Sequence, residues 1–76
     1  MIEYELLKQQ RYDSVYGLYD TYGVCVTENG RIIREIGDIS LDREKTSALI
    51  ESFNTEHLSP DHLDDCIEDF LYDFSL

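Results

Sequence analysis

The stretch Val24-Cys25-Val26-Thr27-Glu28-Asn29-Gly30-Arg31-Ile32-Ile33-Arg34-Glu35-Ile36 decides how this chain folds. β-branched residues run up to Glu28-Asn29-Gly30 and resume directly after it, and Asn-Gly between two such runs is the strongest short-range hairpin signal. Two antiparallel strands are therefore predicted, one near Leu18 to Thr27 and one from Arg31 to Ile36. A two-residue turn at Asn29-Gly30 sets Val26 against Ile33 and Val24 against Glu35. A three-residue loop, with Gly30 at a left-handed bulge position, sets Val26 against Ile32 and Tyr22 against Ile36. The second register gathers Tyr22, Val24, Val26, Ile32 and Ile36 on one face, interrupted by Arg34. A slip of one residue turns that set to water, so burial favours the three-residue loop. Arg34 then lays its stem along the edge of the core and keeps its head in solvent.

Upstream, Ile2 to about Lys8 alternates, with Ile2, Tyr4 and Leu6 on one face and Glu3 and Glu5 on the other. Gln9 to Gly17 is polar and tyrosine-containing and offers no assignable turn. Tyr4, Tyr12, Tyr16, Tyr19 and Tyr22 are read as strand residues with half-buried rings; the rival reading is a tyrosine-rich recognition surface. Gly17 and Gly23 argue against reading their spacing as a helix.

Downstream the apolar period changes from two to that of a helix. Asp38, Ser40 or Asp42 can cap a first helix, Ser40 being preferred, and Thr46, Leu49, Ile50 and Phe53 form its buried stripe. Asn54 to Leu58 breaks the pattern. Ser59-Pro60 restarts it, Ser59 as N-cap and Pro60 at the first helical position. Leu63, Cys66, Ile67, Phe70, Leu71 and Phe74 then make a second stripe. The predicted class is α+β: a three-stranded antiparallel β-meander followed by two helices packed on one face of the sheet.

With 76 residues the chain is one domain, 1–76, divided into a β half (1–37) and a helical half (38–76). Chains this short bury only about 60% of the surface they expose when unfolded, which puts the expected stability at about 4–11 kcal/mol. Charge is lopsided: 17 acids against 6 bases give −11, and no Lys or Arg follows Lys45. A surface so acidic repels phosphate and anionic lipid, so direct nucleic-acid and membrane binding are not expected. Met1-Ile2-Glu3-Tyr4-Glu5 has neither a basic start nor an apolar stretch, and Cys25 and Cys66 fit no disulfide framework, which together predict a cytoplasmic protein with reduced thiols.

The acids gather on the second helix. Asp61, Asp64, Asp65, Glu68, Asp69 and Asp73 fall opposite the apolar stripe, with Tyr72 near the middle of their arc. Asp61–Asp65, Asp64–Glu68, Asp65–Asp69 and Asp69–Asp73 are like-charge pairs at i, i+4, each costing about 0.2–0.5 kcal/mol. Asp69 and Asp73 also lie toward the negative end of the helix dipole.

The segments Asp38-Ile39-Ser40, Asp42-Arg43-Glu44, Phe53-Asn54 and Leu58-Ser59-Pro60-Asp61-His62-Leu63-Asp64-Asp65-Cys66-Ile67-Glu68-Asp69-Phe70-Leu71 resemble a family of small uncharacterised bacterial proteins of unknown function. Its signature reads Asp-Ile-Ser-x-Asp-Arg-Glu, then Leu-Ser-Pro-x-His-Leu-x-Asp-x-Ile-Glu-Asp-Phe-Leu. Cys66 stands where that pattern leads one to expect an aliphatic residue. The resemblance implies a hairpin ahead of two helices and implies no activity.

Chemistry is thin. His62 and Cys66 lie four apart, with His57 and Asp61 nearby, but no Cys-x-x-Cys or His-Glu-x-x-His spacing exists. No metal, cofactor or catalytic residue is expected, and the protein is read as no enzyme. The expected function is a small acidic interaction or regulatory module, monomeric or homodimeric. It docks a basic protein surface through Asp61, Asp64, Asp65, Glu68, Asp69, Tyr72 and Asp73. The alternatives are a DNA-mimicking inhibitor of a nucleic-acid-binding protein and a divalent-metal-dependent regulator.

Overall fold

Three strands and two helices follow one another along the chain: β1 (Ile2–Asp13), β2 (Gly17–Glu28), β3 (Arg31–Ser40), α1 (Arg43–Thr55) and α2 (Leu63–Phe74). A single 3-10 turn, Pro60–His62, precedes α2. The computed structural model describes residues 1–74, with side chains through Tyr72. The sheet is an antiparallel meander in the order β1-β2-β3, and both helices feed one core on one of its faces.

β1 and β2 are longer than their apolar patterns suggest. They pair without interruption from Ile2↔Glu28 to Asp13↔Gly17, so Gln9, Gln10 and Arg11 are strand residues. The turn that composition left open is closed by a carboxylate. Asp13 Oδ1 accepts from the backbone N–H groups of Val15 (2.7 Å) and Tyr16 (3.0 Å), and Gly17 supplies the left-handed φ of 81°.

The β2–β3 connection departs from the favoured three-residue loop. Glu28 pairs with Arg31, so the turn is Asn29-Gly30 alone, both at positive φ (53° and 81°). Asparagine tolerates the left-handed region, and a turn with both central residues there matches the twist of the strands. A bulge between Val26 and Thr27 then corrects the facing. Val26 lies opposite Arg34 and Val24 opposite Ile36, while Ile32 pairs with Thr27 and is exposed with Ile33. Tyr22 pairs with Ser40, and a second irregularity lies between those pairs.

The core joins Tyr4, Val24, Val26 and Ile39 of the sheet to Ile50 and Phe53 of α1 and Leu63 and Ile67 of α2. The Tyr4 ring meets Phe53 edge-on at 5.4 Å, and its hydroxyl donates to the Leu58 carbonyl at 2.6 Å. Burial is the first cause that raises the Tyr4 pKa, and the nearby Cys66 adds to it.

The preference for Ser40 as cap is corrected, and Ser59 holds its N-cap position without a side-chain bond. β3 runs on through Ser40, so Asp42 is the residue three before Lys45, and its carboxylate accepts from the Lys45 N–H at 3.0 Å. Ser40 instead accepts from the Asp42 N–H. At Ser59 the hydroxyl makes no cap bond; the His62 N–H donates to the Ser59 carbonyl at 2.9 Å, which tightens the entry into a 3-10 turn. His57 takes a left-handed φ of 52° after α1, where the Leu58 N–H returns to the Phe53 carbonyl.

α1 also caps the sheet. Asn54 accepts from the Tyr4 N–H and donates from Nδ2 to the Tyr4 carbonyl, both at 2.9 Å, as a neighbouring strand would. Asn54→Ala leaves both groups without that partner and is expected to cost about 1–3 kcal/mol. Urea unfolding reads the loss, and faster exchange of the Tyr4 amide locates it.

Candidate interaction surface

α2 divides as its periodicity requires. Leu63 and Ile67 are buried, Cys66 and Phe70 are half-buried, and Asp64, Asp65, Glu68, Asp69 and Tyr72 are exposed. Asp61 is exposed on the 3-10 turn, so its pairing with Asp65 is not the expected helical one. Asp64 and Asp65 occupy the first turn of α2, where the positive end of the helix dipole favours them. Leu71, placed on the buried stripe by its spacing, is 44% exposed. The side chains of Asp73 and Phe74, which complete the acidic arc and the apolar stripe, lie outside the described residues.

Asp64 belongs to the architecture more than to the open surface. Arg34, on the helix-covered face of β3, donates from both guanidinium nitrogens: Nη2 to Asp64 Oδ1 at 2.6 Å and Nη1 to Oδ2 at 3.0 Å. The Arg34 head is thus both in water and bound. Such a bidentate pair has the geometry that makes an arginine–carboxylate contact directional. It pins the start of α2 to β3, and spacing along the chain gave no sign of it.

These hydrogen bonds hold the Asp64 carboxyl below the usual carboxylate value; the Arg34 charge adds to the effect and partial burial opposes it. A carboxylate depressed in the folded state contributes stability above its unfolded pKa and loses it as pH falls through the folded value. Arg34→Gln is therefore expected to lower the melting temperature at about pH 7, and the two proteins should melt alike near about pH 2. Paired melting curves across that range test it.

Asp69 sits one turn beyond Asp65, and the last turn of α2 carries no basic residue. Asp69→Lys is expected to raise stability by about 0.5–1 kcal/mol at low salt, by removing a like-charge pair and suiting the dipole. A lower melting temperature would mean that Asp69 makes a structural bond.

Both thiols are held above the usual thiol value. Burial raises the Cys25 pKa, followed by the charges of Glu35 and Glu5; burial raises that of Cys66, followed by Asp69, Asp65 and Glu56. His57 and His62 are exposed. Among the described residues no three His, Cys, Asp or Glu side chains converge as metal ligands. No helix among them is long and apolar enough to cross a membrane.

A second exposed region lies at the β1–β2 tip. Tyr4 is buried and Tyr19 and Tyr22 half-buried, as strand tyrosines should be, but Tyr12 and Tyr16 are 72% and 85% exposed. Val15 and Leu18 are exposed beside them. A cleft of about 410 Å³ under this tip is lined by Asp13, Tyr16, Tyr19, Asp38 and Leu41. The sequence signal was present in the tyrosine spacing; exposure followed from where β3 stops pairing, at Tyr22↔Ser40.

Residues 1–73 match the family of unknown function DUF6514, and the chain belongs to that family. No curated protein and no solved structure matches it.

Proposed function

We infer that this DUF6514 member is a small non-enzymatic interaction module of the bacterial cytoplasm that docks a basic protein surface through the exposed face of α2. The observation that carries this reading is the exposed row Asp65, Glu68, Asp69 and Tyr72 on a helix whose apolar side is engaged in the core, continued by exposed Asp61 on the 3-10 turn before it. Asp64 positions that row through Arg34. A surface held this way meets a cationic partner without rearranging, and complementary charge speeds encounter and selects the partner.

We also take the segments 38–44 and 58–71 as the family's signature. Asp42 caps α1, the Ser59 carbonyl closes the 3-10 turn, and Leu63 and Ile67 anchor α2. Those are the parts that place the acidic face.

A lysine- and arginine-rich peptide titrated into labelled protein provides the test. Amide shifts are expected to concentrate in residues 61–72 and to fade steeply with salt. Asp65→Lys with Asp69→Lys should weaken binding more than the equal charge change Glu3→Lys with Glu44→Lys. Equal weakening by the two pairs would reduce the effect to net charge and end the proposal.

A further inference from the structure

The outer edge of β1 has two parts. Because Asn54 binds the Tyr4 N–H and carbonyl from outside the sheet, Tyr4 must point its backbone groups away from β2. The β1–β2 pairing is unbroken, so Leu6, Lys8, Gln10 and Tyr12 do the same by alternation. The complementary parity agrees: the Met1 carbonyl points inward and accepts from the Asn29 N–H. Among the described residues no strand lies beyond β1. β3, the other edge, is irregular: its register shifts twice, and Asp38 holds a φ of 55°. A long, regular edge is a template for another strand.

We propose that the β1 edge from Leu6 to Tyr12 pairs antiparallel with the same segment of a second copy, centred on Gln9, to give a continuous six-stranded sheet. The register follows from two constraints. Outward-facing residues must meet outward-facing residues, and Asn54 stops the partner strand short of Tyr4. Centring on Gln9 satisfies both and alone pairs the whole open stretch, setting Leu6 against the second copy's Tyr12, and Lys8 against its Gln10, each twice. Roughly eight new backbone hydrogen bonds result.

A chain this acidic repels a second copy least where it carries no acid. In a chain of net charge −11, the segment from Leu6 to Tyr12 contains no acid. Its two cations already have acidic neighbours, Lys8 with Asp20 at 3.7 Å and Arg11 with Asp38 at 3.9 Å. Glu3 and Glu5 precede the open stretch and Asn54 keeps the partner from reaching Glu3, while Glu5 comes opposite the second copy's Asp13 only at the two ends of the paired stretch. Arg34 ties the acidic helix to β3, the opposite edge, so pairing through β1 does not bring the two acidic faces together. The interface is small, and affinity in the tens to hundreds of micromolar is expected.

Sedimentation equilibrium of the full chain, from about 10 µM to 1 mM, should show reversible dimerisation in that range. Gln10→Lys faces the second copy's Lys8 and should weaken the dimer about tenfold, whereas Gln10→Glu should strengthen it, more so at low salt. Gln9→Cys, at the symmetry axis in a closely spaced pair, should form an intermolecular disulfide on mild oxidation. A chain that stays monomeric to 1 mM overturns the proposal and leaves the edge to an extended segment of a different protein. A dimer indifferent to both Gln10 variants and not trapped through Gln9→Cys also overturns it, since the copies then meet elsewhere.

Discussion

Leu63→Ala should destabilise the protein by about 2–5 kcal/mol, a large share of the stability a chain of this size commands. Leu63 is fully buried where sheet, α1 and α2 converge, and it heads the two-residue set, Leu63 and Ile67, that α2 contributes to the buried core. Truncation leaves a cavity in the buried core that a small sheet cannot easily close. The loss should be visible first as faster amide exchange in α2, because that helix depends on few anchors. Leu71→Ala serves as the control: its side chain is already largely in water, and a cost below about 1 kcal/mol is expected. Denaturant unfolding of the two variants separates the outcomes. Equal costs would mean that both helical turns are seated alike.

Gly23→Ala should be comparably damaging, at about 3 kcal/mol or more, for a reason that apolar patterning does not contain. Gly23 lies in the irregular stretch between Tyr22↔Ser40 and Val24↔Ile36, where β3 closes over β2. A Cβ there would overlap the Ile36 carbonyl oxygen and come within 2.8 Å of Gly37 Cα. Both obstacles are backbone, so relief requires parting the strands. Gly37→Ala makes the comparison instructive. Its new Cβ would meet the Gln9 side chain, which can swing away, and the cost should be much smaller. Thermal melts and amide exchange across β2 and β3 read the contrast. Similar melting temperatures for Gly23→Ala and the parent protein would show that β3 yields at this point.

The candidate surface was legible where it depends on local spacing and obscure where it depends on contact. Asp65, Glu68, Asp69 and Tyr72 fall on the solvent side of α2 because 3.6 residues per turn leaves them nowhere else once Leu63 and Ile67 are buried. Asp61 moved off the helix because the restart at Pro60 is a tight turn that only later relaxes into α2. Leu71 shows the limit of periodicity: a helix continues its stripe whether or not the sheet continues beneath it.

Element order, the buried faces of β1 and α1, and the acidic row from Asp65 to Tyr72 were determined by the sequence alone. Alternation, helical period, Asn29-Gly30 and Ser59-Pro60 are local signals, and each acts within a few residues. The tertiary structure decided the bulge that follows the two-residue turn, the seat of Arg34 on Asp64, and the covering of Tyr4 by Asn54. The last two join residues 30 and 50 positions apart, and their energies exist only once the helices rest on the sheet. No pattern along the chain can encode which side chains will then be within hydrogen-bonding reach.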